Sequence, residues 1–431
     1  MNPVTIRNNE KIIKGEIGLP ASKSISNRAL ILQYLSGNKL RIHNLSEAED
    51  TELMAALLRS IKENRDASTA KVLDCRNSGT VFRFLTALLA VTPGKWLITG
   101  SERMKERPVG ILADSLNRLG AAIQYENKSG YPPLSIEGKK ISGGDIEIDG
   151  SVSSQFITGL LLISPTLKKG LTIKLHNKIS SLPYIQMTLQ LLNRIGIQST
   201  FKDNVIRIAF QDFEAHELTV EPDWTAASYW YEMAALSREA EILLKGLQDE
   251  SIQGDSILTD ISKQLGVMTI FEPEGIRLIK SGNCVKDFVY DFSHYPDLAP
   301  AVITTCAGLN VNSRFTGIEN LRIKETDRIS AIQKELKKAG FQIELTGNSE
   351  LRMHPIHGLL NKDGEFNIPE LMQNPAPFKT YSDHRMAMAL APLSLICGSV
   401  QIENPEVVAK SYPCFWKDLN KAGFELTFEE M

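Results

Sequence analysis

The residues of this chain that could do chemistry sit mostly where polar loops run into helices. In Ser22-Lys23-Ser24-Ile25-Ser26-Asn27-Arg28, serine hydroxyls and backbone N–H groups can ring a phosphate. Lys23 adds a point charge there, and Arg28 adds a two-pronged donor one turn on. A helix start also carries unpaired N–H groups and the positive end of the peptide dipole, so basic side chains at such a point make an anion site. Taken alone, the segment also reads as a serine N-cap with solvated charges.

Further segments follow the same plan. Asn77-Ser78-Gly79-Thr80 precedes Arg83; Gly79 has no Cβ to keep a ligand off the backbone, although Asn-Ser-Gly alone is an ordinary turn. Arg103-Met104-Lys105-Glu106-Arg107-Pro108 is either a wet surface cluster or, with Pro108 at the first helical position, a guanidinium fixed at a helix mouth. Asn320-Leu321-Arg322-Ile323-Lys324-Glu325-Thr326-Asp327-Arg328 crowds both charge signs at a helix start. A carboxylate held between Lys and Arg can serve as acid or base while the cations bind anions; capping by Thr326 or Asp327 with exposed ion pairs is the alternative. Asp297 after His294-Tyr295-Pro296, Asp383-His384-Arg385-Met386 and Lys410-Ser411-Tyr412-Pro413 complete the set, and an acid in the place of Asp297 is ordinarily an N-cap.

The elements that must position these residues form a repeat with two alternating halves. One half is a short, almost wholly apolar helix with a polar start, beginning near Lys23, Gly79, Ser154, Trp224, Asp297 and His384; helices apolar all round belong in a core. The other half is amphipathic and stops at Leu119-Gly120, Ile195-Gly196, Leu265-Gly266, Ala339-Gly340 and Ala422-Gly423, the glycine expected after a last helical turn. The first copy is worn, with Ile61-Lys62 where the glycine belongs. A spacing of roughly 60 to 85 residues is too long for a solenoid and predicts six copies of one supersecondary unit.

A chain of 431 residues predicts two domains. Glu221-Pro222-Asp223, halfway through the repeats, and Pro20 are candidate crossings. With Lys plus Arg 48 against Asp plus Glu 51 and a net charge of −3, bulk nucleic-acid or anionic-membrane binding is disfavoured, so any basic site is local. The 5 cysteines are scattered without C-x-x-C spacing, which predicts reduced thiols and a cytoplasmic protein. The opening residues do not read as a signal peptide, and the apolar runs are too short to span a bilayer. Nucleotide-binding glycine motifs, H-E-x-x-H and G-x-S-x-G are missing, and the 7 histidines show no metal spacing.

Together the segments resemble the 5-enolpyruvylshikimate-3-phosphate (EPSP) synthase family over nearly the whole chain. S-K-S-x-S-N-R, R-M-K-E-R-P, S-S-Q-F, K-E-T-D-R and D-H-R-M-A-M follow in the family's order. The resemblance implies a two-domain, inside-out α/β barrel. Each domain would hold three βαβαββ units, one spanning 21–221 and the other 1–20 plus 222–431, with ligands in a cleft that closes between them. It implies no metal or organic cofactor, a monomer, and two small-molecule substrates, shikimate 3-phosphate and phosphoenolpyruvate. By motif, the phosphoshikimate subsite would comprise Lys23, Ser24, Arg28, Ser153, Ser154, Gln155, Ser181, Tyr184, Asp297, Asn320 and Lys324. The phosphoenolpyruvate subsite would comprise Lys23, Asn77, Gly79, Arg83, Arg107, Gln155, Arg328, His384, Arg385 and Lys410. Asp297 and Glu325 would take the acid and base work, with Lys23 assisting.

Charge makes sense of this inventory, because two phosphates and two carboxylates bring roughly five to six negative charges. Lys23, Arg28, Arg83, Arg107, Lys324, Arg328, Arg385 and Lys410 would meet them. The chain departs from the family's N-A-G-T-A-x-R-P-L at Ser78 and Phe84, which implies altered packing behind Gly79, and Trp224 is bulkier than the small residue expected there. A sibling enzyme acting on a UDP-sugar carries a cysteine before the second amphipathic helix, where this chain has Gly100-Ser101-Glu102-Arg103-Met104-Lys105. An RNA 3′-phosphate cyclase would need a nucleotide site and a histidine nucleophile. A catalytically silent anion-binding module would lack Asp297 or Glu325, and both are present.

Overall fold

A computed structural model describes residues 3–64, 69–358 and 372–428. All six apolar segments are buried helices: Lys23–Leu35, Gly79–Val91, Ser154–Ile163, Trp224–Leu236, Ala299–Gly308 and His384–Leu390. Every residue of the last three is buried, as expected of a helix with no polar face. Ser22, Ser78, Ser153, Asp223 and Asp383 cap five of them, each accepting a backbone N–H in the first turn. The capping oxygens satisfy donors that burial would otherwise strand. Ala299–Gly308 differs: its N-cap position is Leu298 and makes no side-chain cap. The carboxylate of Asp297 is thereby left for other partners.

The amphipathic segments are also helices: Glu49–Glu63, Gly110–Arg118, Leu182–Arg194, Leu258–Gln264, Arg328–Lys338 and Phe415–Lys421. Gly120, Gly196, Gly266, Gly340 and Gly423 follow five of them at φ between 82° and 100°, a left-handed backbone that only glycine adopts freely. The worn first copy ends instead on extended Asn64. Pro108 does not open a helix, because Glu102–Lys105 ends before it and Gly110–Arg118 begins after it.

One strand order recurs. Lys71–Asp74 pairs in parallel with Gly94–Thr99, which pairs antiparallel with Leu134–Gly138, which pairs antiparallel with Ala122–Tyr125. Gly144–Asp149, Leu171–His176, Val205–Ile208 and Thr200–Lys202 repeat the order, as do Asp287–Asp291, Asn312–Thr316, Glu350–His354 and Gln342–Thr346. A fourth sheet borrows its first strand from the start of the chain. Ile12–Gly18 lies parallel to Glu239–Lys245, followed by Gly275–Cys284 and Leu265–Glu272. The last sheet borrows Val4–Arg7, which sits between Ser399–Ile402 and Glu425–Phe428. In the first copy His216–Thr219 and Leu40–His43 form a parallel pair.

The chain divides into two compact units, residues 21–220 and residues 1–20 with 221–431. The second has one apolar core running from Val4 and Ile17 through the helices Trp224–Leu236, Ala299–Gly308 and His384–Leu390 to Phe424. In each unit the uniformly apolar helices are the interior. The places where the chain leaves and re-enters the second unit are joined, since the Asp223 N–H donates to the Pro20 carbonyl at 2.9 Å.

Candidate active site

In the 21–220 unit, helix Lys23–Leu35 carries Lys23 at its first position and Arg28 on its buried side. Arg28 is 4% exposed. It donates to Thr188 Oγ1 at 2.9 Å, to the Ser24 carbonyl at 2.7 Å, and at 3.4 Å to both Thr158 Oγ1 and the Tyr184 carbonyl. The Phe84 ring lies under its guanidinium, 5.4 Å from the centroid. All these partners are neutral, and burial pushes Arg28 below the ordinary guanidinium range. A buried cation so placed is stabilised by an anion from outside the chain.

Three helix starts meet around it. Ser153 caps Ser154–Ile163 by accepting the Gln155 N–H, and Gln155 Nε2 donates to Thr80 Oγ1 at 3.1 Å, tying this start to that of Gly79–Val91. Ser181 sits at φ 54° immediately before Leu182–Arg194, and Tyr184 lies in that helix's first turn. Lys23 Nζ pairs with Asp50 Oδ2 at 3.2 Å, both largely buried.

A second basic cluster surrounds Gly79. Arg83 donates to the Gly79 carbonyl at 3.1 Å and to that of Pro108 at 2.9 Å, and Arg107 donates to the Asn77 carbonyl at 3.4 Å. Both guanidiniums are 3% exposed. A Cβ on Gly79 would stand 2.6 Å from a nitrogen of each, so the missing side chain is what admits them. Arg107 thus separates from its sequence neighbours, because Arg103 and Lys105 pair with Glu106 and Glu102 at the surface. Ser78 caps the helix, and Phe84 packs on Arg28.

The other unit contains a network of carboxylates and cations. Asp297 Oδ2 accepts from Arg385 at 2.9 Å, while Oδ1 faces Arg328 at 3.4 Å and Lys324 at 3.5 Å. Burial pushes the Asp297 carboxyl up, but Arg385, Lys324 and Arg328 together outweigh it and hold it well below the usual carboxylate range. Glu325 Oε2 accepts from Arg328 at 2.8 Å, and Oε1 lies 3.4 Å from Lys410. Arg328, 1% exposed, also binds Asp383 in two-pronged fashion at 2.7 and 3.2 Å. Burial disfavours its charge, but Asp383 and Glu325 more than restore it, holding Arg328 above the ordinary guanidinium range. His384 Nδ1 lies 3.7 Å from Asp383, and Asn320 occupies the partly exposed 3-10 turn Glu319–Ile323. Arg322, from the same basic run, is diverted to Asp327 at 2.9 Å.

Within one unit, then, Arg28, Ser24 and Tyr184 come together, as do Asn77, Gly79, Arg83 and Arg107; within the other Asp297, Lys324, Glu325, Arg328, Arg385 and Lys410 do, while no contact described joins Asn320 or Lys23 to these groups. Sequence reasoning missed Asp50, Thr158 and Thr188, and quoted Asp383 and Thr80 within motifs without giving them a part, yet all five hold these residues in place. Asp383 had a signal, since it precedes His384 and caps an apolar helix. Asp50 had none, being one acid of three in a first turn with Glu49 and Glu52. Among the described residues no group of three His, Cys, Asp or Glu side chains could hold a metal ion, and no helix is long and apolar enough to cross a membrane.

Each unit thus holds its own basic cluster, one around Arg28 and Gly79 and one interleaved with carboxylates around Asp297 and Arg328, and comparison with known proteins names the family. A family model described as EPSP synthase (3-phosphoshikimate 1-carboxyvinyltransferase) matches residues 8–419. The chain is 46% identical over 420 residues to a 3-phosphoshikimate 1-carboxyvinyltransferase of Bacteroides fragilis (strain YCH46), covering 97% of each chain. It is 33% identical over 443 residues to that of Pasteurella multocida (strain Pm70), covering 96% of each. An EPSP synthase structure from Acinetobacter baumannii superposes with a TM-score of 0.74 at 22% identity, over 99% of this chain and 100% of the other, and shares the two-domain inside-out α/β fold. With a family model matched over residues 8–419 and relatives 46% and 33% identical across nearly the whole chain, the chain belongs to the EPSP synthase family.

Proposed function

We propose that the chain transfers the enolpyruvyl group of phosphoenolpyruvate to the 5-hydroxyl of shikimate 3-phosphate, releasing phosphate, one step of the shikimate pathway to chorismate and aromatic amino acids. The 5-oxygen attacks C2 as C3 gains a proton; then C3 loses a proton, the C2–O bond to phosphate breaks and the double bond returns. Residues 21–221 carry most of the phosphoshikimate side together with Asn77, Arg83 and Arg107 of the enolpyruvate subsite, and residues 1–20 with 222–431 supply the rest of the enolpyruvate side and the catalytic carboxylates. Two buried groups carry this reading. Arg28 has only neutral partners, and Asp297 is held ionised by three cations.

Asp297 acts as base on the 5-hydroxyl and Glu325 as acid at C3, with Lys23 assisting. Anionic substrates offset Arg328, Arg385 and Lys324, so the carboxylate gains basicity as they bind. Lys410 and the Gly79 cluster of Arg83 and Arg107 stabilise charge on the leaving phosphate. Ser24, Ser153, Ser154, Gln155, Ser181, Tyr184, Asn320 and Lys324 orient phosphoshikimate, while Asn77 and His384 complete the enolpyruvate subsite. The protein works as a cytoplasmic monomer on these small molecules.

The test is phosphate release when both substrates are mixed with the protein, against each alone. Release only from the mixture is expected; none from the mixture overturns the reading. Asp297→Ala should lower turnover by about 10² to 10⁴, the range for one acid or base group, and near-normal turnover removes Asp297 from the mechanism.

A further inference from the structure

We infer that Glu335 is a positioning residue for this reaction, an inference that rests on the catalytic reading of the Asp297–Glu325 network. Glu335 is 1% exposed and lies on the helix Arg328–Lys338 that begins with Arg328. Two helical turns separate them, so both project from nearly the same face. They grip one loop at two points. The Glu335 carboxylate accepts the Lys379 N–H at 3.1 Å and the Tyr381 hydroxyl at 2.6 Å, with the Lys338 ammonium against it. Arg328 grips Asp383 with both prongs.

The loop between these grips adopts a conformation it would not hold unaided. Tyr381 and Ser382 both have left-handed backbones, at φ 53° and 56°, which non-glycine residues rarely adopt and which persist only where the surroundings over-determine them. The turn ends on Asp383, whose N–H reaches the Thr380 carbonyl at 2.9 Å and whose side chain caps the helix bearing His384 and Arg385. Its other end is pinned by Phe378, which exchanges backbone hydrogen bonds with Gln401 and Glu403 at 2.8 and 2.9 Å. Glu335 therefore sets where Asp383 stands. Through Arg328 and Arg385, Asp383 sets where the carboxylates of Asp297 and Glu325 point. Glu335 itself touches none of the proposed substrate-binding residues in the described hydrogen bonds and ion pairs.

The experiment measures kcat, both KM values and thermal melting for wild type, Glu335→Gln, Tyr381→Phe and the double variant. Both single variants, still melting cooperatively well above the assay temperature, should lose kcat by about tenfold with KM values within about twofold, a misplacement effect on the reacting groups. Because the two residues form one clamp, the double variant should fall no further than about twofold below the worse single. Wild-type kcat in the folded single variants, a change confined to KM, or multiplied losses in the double would each overturn the inference. If Glu335→Gln fails to fold, Tyr381→Phe, which removes one hydroxyl, decides on the same readings. A wild type that releases no phosphate sinks the functional reading instead, so the two failures are separable.

Discussion

Asp297 is surrounded by more positive charge than a free base would need, and this has a measurable consequence. Its carboxyl lies well below the usual range, so it stays ionised from neutral pH down through mild acid. Asp297→Asn should therefore cut kcat/KM by the same factor at every pH between about 5 and 8. A pH–rate ratio that climbs with pH would show instead that Asp297 titrates in that window. Glu232 is the opposite case, a carboxyl buried inside the apolar helix Trp224–Leu236 with no cation paired to it in the described ion pairs and only the Thr304 hydroxyl to favour its charge. Burial raises it well above the usual carboxylate range. Below the unfolded value both states keep the proton. Above it the unfolded chain releases a proton that the fold retains, so folding stability falls as pH rises. The melting-temperature advantage of Glu232→Gln over wild type should accordingly grow from about pH 5 to about pH 8, and an advantage independent of pH would contradict this. At this scale residue type was legible and partnership was not. Arg103, Lys105 and Arg107 share one basic run, yet only Arg107 is buried beside Gly79.

At the scale of elements, five of the six apolar helices meet first-turn N–H groups with a side-chain cap, and the N–H groups left over at a helix start are what a ligand anion can use. Gly79 shows how little room is left. Alanine there would push into two guanidiniums that are buried and fixed to backbone carbonyls. Gly79→Ala should raise the KM for phosphoenolpyruvate about tenfold, as displacing well-placed charge contacts does, while melting shifts little. Equal KM values for the two proteins would show that the cluster yields freely. The twelve helices of the repeat halves were readable because their periodicity and stop signals are local. The strand orders were not, because register depends on partners that lie far away in sequence. The alternative reading of Asp297 as an ordinary N-cap does not hold, for a related reason. Its helix starts after it, at Ala299, and Arg385, remote in sequence, claims the carboxylate.

Across the whole molecule, the first eighteen residues matter out of proportion to their length, since Val4–Arg7 and Ile12–Gly18 complete two sheets of the unit built otherwise from 221 onward. Removing them should abolish the cooperative melting of that unit and spare that of 21–220, read as loss of one of two calorimetric transitions; two intact transitions would contradict it. A repeat count could announce six copies, but not that two of them are finished by a distant segment.

That borrowed segment also orders events during synthesis. Val4–Arg7 and Ile12–Gly18 leave the ribosome before their partners at Glu239–Lys245, Ser399–Ile402 and Glu425–Phe428, which follow on the order of ten seconds to a minute later at ordinary translation rates. Throughout that interval the leading strands have no mates, while 21–220 has everything it needs. Val4 pairs opposite Phe428, so these two positions lie together and a linker could join them. A circular permutant opened between Pro20 and Ala21 places the two units one after the other, so the wait of a strand for its partner falls inside one unit instead of spanning the synthesis of the other.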